Sequence, residues 1–316
     1  MKDFYGRQIE YMRVSLVDRC NLRCVYCMPE KGIEKMLHEN ILRYEEFLKI
    51  IKAGAELGIK KIRFTGGEPL ILKGVTKLIE ATSAIPGIED ISITTNGILL
   101  AEMAEDLKKA GLKRVNISLD TLDPQKYYNI TRGGDINKVF SAIDKCLELG
   151  LTPVKINTVL VKGMNDDEID DLIAFSEKKD VHLRFIEIMP IGEGEKYASG
   201  LMTMDEVLKD RLYLEFIKNN GVASIYGRKG AKGSIGFISP MSCKFCNECN
   251  RIRITAQGTL KPCLHSMEEI DLKPFLNDAD ELNNALSKAI IAKPEAHHMD
   301  KDGKSDSKRQ MFRIGG

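Results

Sequence analysis

Seven of the chain's eight cysteines fall in two tight groups, and their spacing is the strongest chemical signal in the sequence. The first group is Cys20-x3-Cys24-x2-Cys27. Three thiolates in so short a loop can surround one iron–sulfur cubane, leaving one of its four irons open to bind something else. That open iron is the counterpart of the open position on a catalytic zinc. A structural zinc loop would need a fourth ligand close by, and His38 stands eleven residues on. The second group is Cys243, Cys246-x2-Cys249 and Cys263. By itself it suggests a zinc ribbon on a small β unit. Directly after Cys249, Asn250-Arg251-Ile252-Arg253 sets two arginines on one strand face beside the metal. Such a fork suits phosphate or a purine edge. Cys146 stands alone on a helical segment and reads as a small buried apolar residue.

These side chains need a scaffold, and the first two thirds of the chain alternates short β-rich runs with amphipathic helical ones. Strands are expected at Arg13–Val17, Lys60–Thr65, Asp90–Thr95, Arg114–Leu119, Val154–Val161 and Val181–Ile188. Helices are expected at Glu45–Leu57, Val75–Ala84, Leu100–Ala110, Lys138–Leu149 and Asp167–Lys178, with Asn137 and Asp166 near two starts as caps. Gly58, Gly111 and Gly150 stand where helices should end. This alternation implies an α/β fold with parallel strands and right-handed crossovers, as an open barrel or a doubly wound sheet. A closed eight-stranded barrel would need more chain. From about residue 215 the texture becomes short strands and Gly-rich turns, read as an antiparallel appendage, then a helix near Glu281–Ile291.

The faces of the strands carry a second signal. Period-2 reading puts Lys61, Arg63 and Thr65 opposite Ile62 and Phe64, and Asn116, Ser118 and Asp120 opposite Val115, Ile117 and Leu119. Lys155 and Asn157, and likewise His182 and Arg184, share faces of their strands. An ordinary barrel is packed with branched apolar residues. A polar inner face implies a wet cavity instead, since unpaired cations are too costly to bury. An ordinary sheet with these residues facing solvent is the alternative.

Composition bounds the rest. The chain has 316 residues, 43% of them hydrophobic, and a formal net charge of +1. No whole-molecule field recruits nucleic acid or a membrane surface, so an anionic ligand must be held by local cations. No apolar run is long enough to span a bilayer, and Met1–Glu10 is too polar for a secretory signal, so a cytoplasmic location is expected.

The first cysteine loop, with Tyr26 before its last cysteine, resembles the signature loop of the radical S-adenosylmethionine (SAM) superfamily. Thr65-Gly66-Gly67-Glu68-Pro69 resembles that superfamily's Gly-Gly-Glu motif, whose implied task is to hold the SAM amino group. The second constellation is similar to one family within it, the GTP 3′,8-cyclases that begin molybdenum-cofactor biosynthesis. Cys246, Cys249 and Cys263 match that family's Cys-x2-Cys-x13-Cys, and Arg313-Ile314-Gly315-Gly316 matches its double-glycine tail, which reaches into the active site. The resemblance runs from Arg13 to Gly316. It implies an incomplete (βα)6 TIM-type barrel over residues 1–215, and a region over 216–316 carrying a second cluster.

The roles it implies are specific. Cys20, Cys24 and Cys27 hold the SAM cluster, and Cys246, Cys249 and Cys263 a second [4Fe-4S] cluster. Tyr26, Gly67, Ser118 and Met189 contact SAM, with Asp120 and Asn157 as polar partners. Arg13, Arg63, Thr94, Lys155, Arg251, Ile252 and Arg253 contact GTP, with Lys61 and Arg184 on its phosphates. Arg13, Arg251 and Arg253 assist the reaction. Cys243 is outside the carried-over pattern and is expected to be a spare thiol. A 5′-deoxyadenosyl radical is implied to take the 3′ hydrogen of GTP, after which C3′ joins C8. A homodimer, an electron donor and a following pterin-forming synthase are implied too. Two other readings stand beside this one: a peptide or sulfatase maturase with an auxiliary cluster, and a zinc-stabilised nucleotide- or RNA-binding module.

Overall fold

The computed structural model describes residues 1–34, 36, 38–297 and 305–315; Gly316 of the expected double-glycine tail lies outside them. Six strands and their helices follow the expected rhythm. The strands are β1 (Tyr11–Ser15), β2 (Lys61–Thr65), β3 (Asp90–Thr95), β4 (Arg114–Ser118), β5 (Lys155–Leu160) and β6 (His182–Glu187). Between them run α1 (Tyr44–Glu56), α2 (Val75–Ser83), α3 (Leu100–Lys109), α4 (Pro124–Thr131), α5 (Ile136–Glu148) and α6 (Ile169–Lys179). The remainder is α7 (Met204–Lys209), β7 (Glu215–Asn220), β8 (Ala223–Gly227), β9 (Ser234–Ile238), β10 (Arg251–Ile254), β11 (Thr259–Lys261), β12 (Ile270–Asp271) and α8 (Ala279–Ile291).

Among the described residues the strands form one sheet, in the order β12-β11-β10-β1-β2-β3-β4-β5-β6-β9-β8-β7. The expectation of one antiparallel appendage needs correction. β10 pairs in parallel with β1, and β9 in parallel with β6. Antiparallel pairing among the strands runs from β10 through β11 to β12 at one edge and from β9 through β8 to β7 at the other. An open barrel exposes two strand edges with unpaired backbone groups, and the late strands cover one each. The strand order still has two ends, so pairing does not close the barrel.

The sheet nonetheless curls. β2 and β6 are four strands apart in the order, roughly 19 Å on a flat sheet at the usual spacing. Yet Arg63 on β2 comes near enough to Arg184 on β6 for its charge to help lower the Arg184 pKa. The outer face packs under helices: Met12, Ile62, Phe64, Ile93, Ile117, Ile156 and Leu183 are fully buried. Each such side chain contributes about 1.5–3 kcal/mol by leaving water. Cys146 belongs to that layer, as its sequence context predicts. Two caps differ from expectation. Asp135, not Asn137, caps α5 and accepts from the Asn137 amide; the Asp166 carboxylate accepts from the Gly163 amide in the turn before α6. An acceptor two residues ahead of the donor suits the N-cap position better than one inside the helix.

Candidate functional site

At the carboxyl end of β1 the chain enters the first cysteine loop. Backbone bonds weld this loop to the Gly-Gly-Glu turn: the Gly67 amide donates to Val17 O (2.7 Å) and the Glu68 amide to Arg19 O (2.8 Å). The glycines are required by this contact. A Cβ on Gly67 would lie 2.2 Å from Arg19 O, and Gly66 has a φ of 153°. The Glu68 carboxylate is taken up by donors of the protein itself. It is buried and accepts from the Leu70 and Asn96 amides and the Thr95 hydroxyl. Burial raises its pKa to about 7 against those three bonds. Glu68 therefore pins the turn, leaving the glycine backbone to face a ligand. Asn96, absent from the sequence reading, bonds Asn21 (2.7 Å) and approaches Cys20 Sγ at 3.6 Å.

The three thiols are crowded. Burial and the neighbouring sulfurs push Cys27 up to about 12, and Cys24 also upward; burial dominates at Cys20, which rises to about 11. Above them, Tyr26 donates to Asp120 at 2.6 Å, and the Val159 amide donates to the same carboxylate. Burial lifts Asp120 to about 6 despite both bonds. Ser118, the last residue of β4, is the register partner of Asn157 within β5. Met189 reaches this rim through Gly194, where a Cβ would lie 2.4 Å from Met189 O and 3.6 Å from Tyr26 O. The structure thus brings the expected SAM residues to one end of the barrel.

The cations stand lower. Arg253, Arg13 and Arg63 are direct register partners across β10, β1 and β2, and Ser92 continues the row on β3. Arg251 and Lys61 flank Tyr11 one pair below. On the other wall Thr94, Asn116, Lys155 and His182 form one row, and Ser118, Asn157, Arg184 and Gly236 the next. These cations do not gather at the carboxyl ends of the strands: Lys61, Lys155 and Arg251 are the first residues of theirs. Two placements qualify the residue roles. Lys61 is paired with Glu10 at 2.7 Å. The Ile252 side chain is fully buried in the core, so only its backbone can meet a ligand. Arg114, which the face analysis passed over, adds a cation held by Asp90.

Burial lowers the pKa of Lys155 to about 7, with Arg114, Arg184 and Arg63 repelling its proton further. Burial and Arg63 bring Arg184 to about 10; burial and Arg251 do the same for Arg253. Burial and the flanking arginines hold Arg13 well below the usual guanidinium range. Thr94 Oγ1 and Arg184 Nη1 are buried without a hydrogen-bond partner among the described residues. Gly236 makes room for Arg184, since a Cβ there would lie 2.0 Å from Arg184 Nη1. So many like charges in one hollow are stable only with an anion among them.

The second cysteine group lies at the opposite end. Cys249 stands two residues before Arg251, the amino-terminal residue of β10, and β10 runs parallel to β1. Cys263 follows β11, which returns antiparallel to the same end. Arg7 supports this end: its guanidinium donates to the carbonyls of Cys246 (2.8 Å), Pro294 (2.7 Å) and Glu295 (2.8 Å), and pairs with buried Asp3 (2.6 Å). Burial pushes the Cys249 thiol up, but Arg251 and Lys293 bring it down to about 6. Cys263 and Cys249 act electrostatically on Cys246. Cys243 is exposed, whereas the other three are half-buried.

Residues 14–176 match the Radical SAM superfamily, and residues 181–299 match the Molybdenum Cofactor Synthesis C family. A GTP 3′,8-cyclase of Clostridium botulinum (strain Langeland) is 55% identical over the full length of both chains. The chain belongs to the GTP 3′,8-cyclase family. The GTP 3′,8-cyclases of Clostridium acetobutylicum and Alkaliphilus oremlandii, also matched over their full length, are 52% and 50% identical. Among solved structures, Streptococcus suis SuiB shares the fold (TM-score 0.59, 15% identity, 91% of this chain and 66% of that one). So does anSMEcpe with bound AdoMet (TM-score 0.52, 15% identity, 89% and 83%).

The fold class expected from the sequence therefore holds: an α/β radical SAM barrel, mostly parallel and left open. As a radical SAM enzyme of the cyclase family, the chain uses SAM and an iron–sulfur cluster. The first loop fits such a cluster. Burial and mutual repulsion disfavour the thiolates of this loop, and a cluster's irons supply the charge that favours them. Among the described residues, no three His, Cys, Asp or Glu side chains converge on one ion-sized point. No helix among the described residues is long and apolar enough to cross a membrane.

Proposed function

We propose that this chain converts GTP to (8S)-3′,8-cyclo-7,8-dihydroguanosine 5′-triphosphate, the first step of molybdenum-cofactor biosynthesis. One observation carries the reading beyond the family match: two cysteine triads bracket a hollow whose wall sets Arg253, Arg13 and Arg63 side by side. When bound, the first cluster and SAM supply an electron and a carbon-centred radical able to take a hydrogen atom from substrate. Cys20, Cys24 and Cys27 would hold that cluster, and Cys246, Cys249 and Cys263 a second one, with Cys243 outside the set.

The chain's own residues do the rest. The Gly66–Gly67 backbone and Tyr26, oriented by Asp120, place SAM at the upper end with Ser118, Asn157 and Met189. Arg63, Lys155 and Arg184 grip the triphosphate, Thr94 offers a free hydroxyl, and Arg13, Arg251 and Arg253 hold the base and ribose near the second triad. Charge-assisted contacts in a water-poor hollow are the strong ones. Fixing the ribose below SAM turns hydrogen transfer into an intramolecular event and excludes water from the radical. Residues 1–215 thus carry the radical SAM barrel with the triphosphate grip, and 216–316 the second triad with Arg251 and Arg253. The same reading implies a homodimer, an external electron donor and a pterin-forming synthase acting next.

The test is an anaerobic assay of reconstituted protein with GTP, ATP and SAM offered separately and together. GTP and SAM together, with a low-potential electron donor, should give the cyclic nucleotide, isomeric with GTP itself, and 5′-deoxyadenosine. Formation of 5′-deoxyadenosine with no consumption of GTP defeats the proposal.

A further inference from the structure

The segment Ser305–Gly315 crosses the upper mouth of the hollow. Gly315 lies against Thr65 and Ser15, where a Cβ would meet Thr65 Oγ1 at 2.2 Å. Those two residues stand one pair above Arg63 and Arg13 on the cavity face. Gln310 leans on Gly192, just beyond β6, so the segment spans both walls. Phe312 and Ile314 are buried.

Two cations of the β10–β11 hairpin hold this segment. Arg253 donates directly to the carbonyls of Ile314 (3.2 Å) and Gly315. Lys261 is its cross-strand partner and is fully buried. Lys261 reaches Glu269 at 2.9 Å, and Glu269 receives a fork from Arg309, with Nε at 2.7 Å and Nη2 at 2.6 Å. Arg309 also donates to Gln257 in the β10–β11 turn. Burial would raise the Glu269 pKa, but Arg309 and Lys261 hold the group below the ordinary carboxylate range.

We propose that Arg309 is a positioning residue: through Glu269 and Lys261 it sets the register of residues 310–315 over the arginine row, independently of Arg253. This rests on the reading of that row as the GTP site. The reason for a second anchor is competition. Arg253 cannot give its guanidinium to substrate and alone secure the backbone above it. Arg309 lies away from the row and stays paired whatever Arg253 does. A planar fork on one carboxylate also fixes direction, which a lysine would not.

Arg309→Gln, Arg309→Lys, Glu269→Gln and the Arg309→Gln/Glu269→Gln double variant test this by hydrogen exchange and turnover. In Arg309→Gln, amide exchange over 310–315 should quicken on the order of tenfold, with residues 251–261 unchanged. Cyclised product should fall on the order of tenfold in kcat, while 5′-deoxyadenosine formation without product persists. Arg309→Lys should fall between, and the double variant should be no worse than the single ones. Unchanged exchange over 310–315, or unchanged kcat, overturns the proposal. So does equal quickening over 251–261 in both single variants, which would make the group merely structural. If the unmodified protein fails to consume GTP, the functional reading fails, while the exchange data still decide whether Arg309 anchors the segment.

Discussion

The two cysteine triads, both proposed to hold a cluster, are built in opposite ways. The first is one continuous loop, positioned by backbone-to-backbone bonds from the next strand's turn and by the absence of side chains at Gly66 and Gly67. The second joins Cys246 and Cys249 to Cys263 across a β hairpin, and its outer side hangs on one guanidinium, Arg7, from far away in the chain. Their charges differ as well. Burial, the neighbouring sulfurs and Asp120 push the first thiols up. Burial also opposes ionisation at Cys249, but Arg251 and Lys293 overcome it. A loop fixed by backbone tolerates no added atom at its contact. A group fixed by one side chain fails when that side chain is shortened or neutralised.

Three changes would sharpen or break this contrast. Gly67→Ala should be the most severe. The added carbon collides with backbone at Arg19 and must move the loop, so 5′-deoxyadenosine formation should drop at least about a hundredfold. Iron held at the first loop should fall with it, by spectroscopic iron quantitation. Activity close to that of the unmodified chain would mean the weld is not needed.

Arg7→Gln comes next. It leaves Asp3 buried without its partner and strips donors from three or more carbonyls, at a cost of about 3–5 kcal/mol by denaturant titration. Iron should be lost from the second triad only, so 5′-deoxyadenosine still forms while GTP is no longer cyclised. Equal loss at both triads would show that the two ends are not independent.

The smallest effect concerns the wall between the triads. Lys155 in the free protein loses its proton near pH 7, since burial and Arg114 disfavour the charged form. A bound triphosphate favours that charged form. Above about pH 7, GTP binding should therefore take up a proton and weaken as pH rises, by up to about tenfold per unit. Calorimetry in buffers of different ionisation enthalpy measures the uptake, and Lys155→Met should remove it. No uptake at pH 8 in the unmodified protein would place Lys155 outside the triphosphate contacts.

Local patterns made much of this legible. Cys20, Cys24, Cys27 and the Gly-Gly-Glu turn are short-range arrangements, and the weld between them follows from adjacent parallel strands. The alternation of Lys61-Ile62-Arg63-Phe64 marked a polar inner face, because side chains of a strand must alternate. Period-2 reading could not set the height of the cations within the barrel, which depends on register between strands. Nor could it give Arg114 a partner in Asp90, which lies on the next strand, or show that Glu68 turns inward. Asp135 as the cap of α5 was available in the sequence, one residue before the helix.

The order of residues thus determined the ligands, the lining and the kind of sheet, since each depends on spacing of a few residues along one segment. Only the tertiary structure decided that β9 and β10 leave each other for opposite edges of the sheet, because strand pairing is chosen by which edges remain open. The same choice placed the second triad at the amino-terminal end of the barrel and laid Arg253 beside Arg13. It also brought Arg7 and Arg309, near the two extremities of the chain, to opposite ends of one charged hollow.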